Sequence, residues 1–112
     1  MTKVGELRKQ DLTFSNPSQE VKKVITQIKG KADAIILVAH MGIGNENNIT
    51  DTGVGDIARA NPELVVIVVG HIHVKVDKAM TNGVIITEPY KYGRALSCVY
   101  LNFKKMCREN TP

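Results

Sequence analysis

Hydrophobic and polar positions fall into blocks along this chain, and the blocks predict a helix, then strand, helix and strand, then a hairpin. Val21, Val24, Ile25 and Ile28 recur at i, i+3, i+4 and i+7, the spacing that lines one face of a helix. Asn16 is a suitable N-cap, Pro17 suits the first turn, and Gln19 stands at the capping-box position. Gly30 sits where a left-handed C-cap belongs, so the helix is predicted over about residues 17–29. Asp33-Ala-Ile-Ile-Leu-Val-Ala-His40 follows, apolar throughout and rich in β-branched residues, as in a strand covered on both faces. A polar loop, Met41 to Thr50, leads to a short helix capped by Asp51 or Thr52 and running to about Ala60, where Asn61-Pro62 stops it. Leu64-Val-Val-Ile-Val-Val-Gly70 is a second buried strand, which makes a βαβ unit.

Beyond His73 the pattern changes. Asn82-Gly83 lies between Val74–Met80 and Val84-Ile-Ile-Thr87, the arrangement of a two-residue hairpin turn between antiparallel strands. Glu88-Pro-Tyr-Lys-Tyr-Gly93 reads as a loop, and alternation from Leu96 to Phe103 predicts a last strand. The first 14 residues are polar and unpatterned. The whole is α/β: a βαβ unit with parallel strands, then an antiparallel hairpin and strand.

Composition narrows the classes without naming one. At 112 residues, 43% hydrophobic and 23% charged, the chain is one small globular domain or a piece of one, and its apolar runs are too short to span a membrane. No apolar core follows Lys3, so no signal peptide is expected in this chain. The formal charge of +4 comes from scattered cations, among them Lys22, Lys23, Lys29, Lys31, Lys104, Lys105 and Arg108. Without aromatic interleaving or a nucleic-acid motif they read as a solvated face, so no nucleic-acid polymer is expected as a partner. Cys98 and Cys107 have neither disulfide-framework nor zinc-knuckle spacing and read as buried or idle thiols.

The candidate chemistry is in the histidines. The chain has 3, and all stand where a predicted parallel strand ends: His40 after the first, His71 and His73 after the second. Open α/β sheets bind ligands outside the carboxyl ends of their strands, and imidazole suits zinc, manganese, iron or nickel. One histidine at a strand end is usually a hydrogen-bonded structural residue; three at one rim make a metal or catalytic site the competing reading. If the stretch from His71 to His73 is extended, both side chains leave from one face and could share an ion or reach two. Gly70 is expected to remove a side chain where the backbone nears the site.

Ala39-His40-Met41-Gly42 resembles the His-x-Gly motif, and Gly70-His71-Ile72-His73 the more specific Gly-His-x-His motif, of calcineurin-like metallophosphoesterases. Asp56-Ile-Ala-Arg-Ala-Asn-Pro-Glu-Leu64, Asn82-Gly-Val-Ile-Ile-Thr-Glu-Pro89 and Lys91-Tyr-Gly-Arg94 are similar to the 5'-nucleotidase and 2',3'-cyclic-nucleotide 2'-phosphodiesterase branch. The resemblance covers about residues 17–103. It implies that residues 1–112 are the C-terminal half of that catalytic domain, a partial metallophosphoesterase sandwich. It also implies that His40 and His71 bind one ion of a two-metal site, of Zn, Mn, Fe or similar, and that His73 binds the other. The implied parent hydrolyses phosphate esters of nucleotides or 2',3'-cyclic nucleotides and is secreted, periplasmic or on the cell surface. The family's Asp-x-His, Gly-Asp-x-x-Asp and Gly-Asn-His-Asp motifs do not occur in the 112 residues, so the chain alone is expected to be inactive. An uncovered sheet would make it self-associate. Lys91 and Arg94 are candidates for phosphate contact, although loop cations are commonly just solvated. The competing class is a non-catalytic metal-binding or interaction module that reuses half of the fold.

Overall fold

The computed structural model describes residues 13–44 and 51–104. The polar start of the chain, the asparagine-rich part of the loop after Gly44, and the tail from Lys105 with Cys107 lie outside the described residues.

The first helix, α1, spans Pro17–Ile28. Its cap is the expected one: Asn16 Oδ1 accepts from the Gln19 N–H at 3.1 Å, satisfying a backbone donor that has no partner within the helix. At the other end Gly30 has φ +86 and the Lys31 N–H donates to the Ile28 carbonyl at 2.9 Å, so the chain leaves through a tight turn that needs a left-handed residue there. Ile25 is the fully buried member of the helix's apolar stripe. Val24, expected in the core, is 52% exposed instead. It borders an open apolar groove of about 270 Å³ between α1 and the first strand, lined also by Val21, Ile28, Ile35 and Leu37.

Four strands form one sheet in the order β1-β2-β4-β3: β1 is Ile36–His40, β2 Val66–Gly70, β3 Lys75–Thr81 and β4 Val84–Pro89. β1 and β2 run parallel, joined through the second helix α2, Val54–Ala60, which is the expected βαβ unit. β3 and β4 form the antiparallel hairpin, with Asn82 (φ 54) and Gly83 (φ 79) as the two left-handed turn residues. β4 also pairs in parallel with β2, so it lies between the βαβ unit and its own hairpin partner. It runs through Glu88 and Pro89, where the sequence predicts a loop.

Register assigns the faces. Leu37, Ala39, Ile67, Val69, Val84 and Ile86 turn toward the helices and join Ile25, Val54, Ile57, Ala58 and Leu64 in or against the core. Asn61, fully buried after α2, ties the two helices together by donating from Nδ2 to the carbonyls of Ser18 and Ile57, each at 3.1 Å. The opposite face carries Ile36, Val38, Val66, Val68, Ile85 and Met80. There β1 departs from expectation. Rather than being covered on both faces it is an edge strand, and Ile36 and Val38 are 50% and 78% exposed, because helices shield only the other side.

The predicted strand over Leu96–Phe103 is also corrected: the segment joins no ladder. It passes over the face away from the helices, where Ser97 Oγ meets Thr87 Oγ1 at 2.8 Å and residues 101–103 reach Ala34 and Val65. Residues 96–100, 102 and 103 are exposed and only Leu101 is half-buried, so the alternation does not mark a covered face. Cys98 is a free thiol and exposed, so of the two readings, buried or idle, only the first is excluded for it.

Candidate metal centre

The carboxyl ends of β1 and β2 are adjacent, because the parallel register pairs His40 with Gly70. His71 is the next residue, and its ring meets that of His40 edge-on, with centroids 5.1 Å apart and planes at 64°. Two imidazoles bound to one tetrahedral ion through nitrogens at about 2.0–2.1 Å have ring centres roughly 5 Å apart. The observed separation of the ring centres is of that size, and imidazole nitrogens at a solvent-accessible rim suit borderline divalent metals. A Cβ built on Gly70 would lie 3.5 Å from His40 Nδ1, an ordinary contact. The expected close approach at Gly70 is thus limited to the flank of this ring.

The loop after His40 is fixed by α2. Val54 and Gly55 donate their backbone N–H groups to the carbonyls of Gly42 and Ile43 at 2.9 and 3.0 Å, so the first turn of the helix finds its acceptors in the histidine loop. Gly53, rather than Asp51 or Thr52, is the N-cap. Its N–H donates to Asp56 Oδ2 at 3.2 Å, and Asp56 in turn pairs with Arg59.

His73 takes a different course from the one an extended strand would impose. His71 has φ 124 and His73 φ 57, so the backbone bends between them and the two side chains do not share a strand face. The His73 ring packs edge-on against Tyr92, centroids 5.6 Å apart. Among the described residues no group of three or more His, Cys, Asp or Glu is close enough to hold an ion. Lys91 Nζ lies 5.4 Å from the Tyr90 ring centre and 5.2 Å from that of Tyr92, a double cation–π contact beside His73. Arg94 is exposed, and its backbone N–H closes the turn onto the Lys91 carbonyl at 3.2 Å. Tyr92 therefore connects His73 to Lys91, which also reaches the Tyr90 ring. Both tyrosines have left-handed φ, 65 and 57, and nothing in their residue types announces it.

Glu88 was missed as well. It is fully buried, its Oε2 accepts from the Val74 N–H at 3.4 Å, and its Oε1 has no hydrogen-bond partner among the described residues.

The histidine pair stands at the ends of adjacent parallel strands, one member in Gly-His-x-His, and comparison with known proteins agrees with the resemblance to metallophosphoesterases. No family model matches the chain. In sequence the chain is 31% identical over 97 residues to the uncharacterized metallophosphoesterase YunD of Bacillus subtilis (strain 168), a match covering 86% of this chain and 19% of that protein. In fold it is similar to a Staphylococcus aureus crystal structure provisionally assigned as a 5'-nucleotidase and solved in complex with alpha-ketoglutarate. The TM-score is 0.59 at 19% identity, covering 72% of this chain and 18% of the other. The chain is a relative of the calcineurin-like metallophosphoesterases and has part of their mixed α/β fold. It spans about a fifth of the length of each of these two proteins.

Proposed function

We propose that the chain is the C-terminal half of a two-metal phosphoesterase domain, and that His40 and His71 hold one divalent ion while His73 serves the other. The observation that carries the reading is the His40–His71 ring pair at the ends of β1 and β2. Two such ions, when bound, supply an activated water and stabilise charge in an in-line displacement at phosphorus. The chain's own part is to orient imidazole nitrogens at the rim, with the loop after His40 pinned by α2 and His73 braced by Tyr92. Lys91 and Arg94, in the loop beside His73, are the residues we assign to phosphate.

The relative's name and the structural neighbour's assignment together support a phosphate ester of a nucleotide as the parent's substrate, and we extend this to 2',3'-cyclic nucleotides from the motif resemblance. The same resemblance supports a parent that acts outside the cytoplasm. No helix among the described residues is long and apolar enough to cross a membrane. The exposed apolar side chains of Ile36 and Val38 support the fragment reading, since further chain in the parent would bury them.

Two expected outcomes follow. The 112-residue chain turns over neither a 5'-nucleotide nor a cyclic-nucleotide ester above background with added Mn²⁺ or Zn²⁺, whereas the parent does so in a chelator-sensitive, His71-dependent manner. Hydrolysis by the chain alone, lost in His71→Ala, would show its site to be complete; a parent that binds metal but hydrolyses neither ester would favour the non-catalytic module. The isolated chain also self-associates through the uncovered face and edge of β1. Its weight-average sedimentation coefficient rises with concentration, and Val38→Lys suppresses the rise. A concentration-independent monomer would contradict this.

A further inference from the structure

We propose that Glu88 is a positioning residue that holds the His71–Val74 turn in the conformation presenting its histidines. The part of this concerning metal rests on the reading of His40 and His71 as ligands. The part concerning the turn does not.

The turn needs an external hold. His71 at φ 124 and His73 at φ 57 occupy backbone conformations that L side chains disfavour, and such residues persist only where the surroundings over-determine them. Across from them, Tyr90 and Tyr92 are also left-handed, so two unfavourable segments face one another at the end of the sheet. Two grips that β4 and the segment following it apply to the histidine turn fall on one residue. The Val74 N–H donates to Glu88 Oε2 at 3.4 Å, and the Val74 carbonyl accepts from the Tyr90 N–H at 3.2 Å. Val74 is thereby held on both sides of its α-carbon, one residue beyond His73.

The side chain is costly at that position. Glu88 is 0% exposed, and burying a carboxyl group with an oxygen unpartnered among the described residues is unfavourable for folding as such. An apolar residue of similar volume would commonly be neutral or better for stability. Glu88 is also in register with Val76 near the end of β3, where the ladder then shifts between Val76 and Ala79. Backbone pairing reaches Val74 through its carbonyl, which accepts from the Tyr90 N–H, while the carboxyl group supplies the acceptor for the Val74 N–H. A gain in turn geometry offset against a loss in core packing describes a residue retained for the site it supports.

Amide hydrogen exchange of the full 112-residue chain without metal tests the turn directly, using Glu88→Met, which keeps the volume and removes the acceptor, and Glu88→Gln, which keeps an acceptor. In E88M the Val74 amide exchanges about 10-fold faster or more, while the Ile67 and Ile86 amides in the core strands stay within about threefold of the parent chain. E88Q restores Val74 protection. Co²⁺ titration followed by its visible absorption then weakens about 10- to 100-fold in E88M and little in E88Q. Unchanged Val74 exchange in E88M, or an equal acceleration of Val74, Ile67 and Ile86, overturns the proposal. A parent chain that binds no Co²⁺ overturns the ligand reading instead, and the exchange data still decide the role of Glu88.

Discussion

Replacing His71 by alanine lowers the affinity of the chain for Co²⁺ or Zn²⁺ by about 100-fold or more, and replacing His40 does the same, because each is expected to supply one of only two nitrogens to the ion. The two losses are strongly non-additive. Once either imidazole is gone the other is a single exposed ligand, so the double variant binds little worse than either single one. His73→Ala has a smaller effect on this ion, since its ring sits against Tyr92 rather than with the His40–His71 pair. Isothermal titration of the four proteins against one metal separates the cases. Additive losses for His40 and His71, or a His73 effect as large as theirs, would mean that the pair at the strand ends is not the binding unit.

Gly53→Ala destabilises the fold by about 2–3 kcal/mol, roughly 10–20 °C in Tm for a domain of this size. The cause is steric. Gly53 has φ −106, a conformation any residue adopts, but a Cβ there would lie 2.6 Å from the carbonyl carbon and oxygen of Gly44, in backbone that cannot swing aside as a side chain would. Relief requires α2 to withdraw from the loop after His40, and this breaks the bonds from Val54 and Gly55 to the Gly42 and Ile43 carbonyls. Gly44→Ala is the control, as its Cβ would meet nothing within 4 Å among the described residues, and its stability stays within about 0.5 kcal/mol of the unsubstituted chain. Chemical denaturation measures both. A Gly53→Ala chain as stable as Gly44→Ala would show that the contact between helix and histidine loop is loose.

Elements whose local chemistry agrees with their surroundings were legible in the sequence. Asn16-Pro17 capped α1 as read, Asn82-Gly83 made the two-residue turn, and the βαβ pattern brought His40 beside His71. The failures share a physical cause, which is that the deciding partner lies elsewhere in the molecule. The apolar run of β1 reads as a strand covered twice, yet Ile36 and Val38 have helices on one side only. Leu96–Phe103 alternates like a strand, but it crosses the face of the sheet at Thr87 instead of lying along either edge strand. The bend from His71 to His73 depends on positive φ values held by contacts to Glu88 and Tyr90, which are distant in sequence and were assigned to a loop. Motif spacing located the imidazoles; it carried no information about the carboxyl group beneath them.

The central claim is that His40 and His71 share one ion, and a crystal of the chain grown with Zn²⁺ tests it most directly through anomalous scattering at the zinc edge. The account predicts an anomalous peak at the ends of β1 and β2, about 2.0–2.1 Å from one nitrogen of each ring, with no large movement of either strand. A peak that touches neither ring, or one held by a single histidine and a neighbouring molecule, would contradict it.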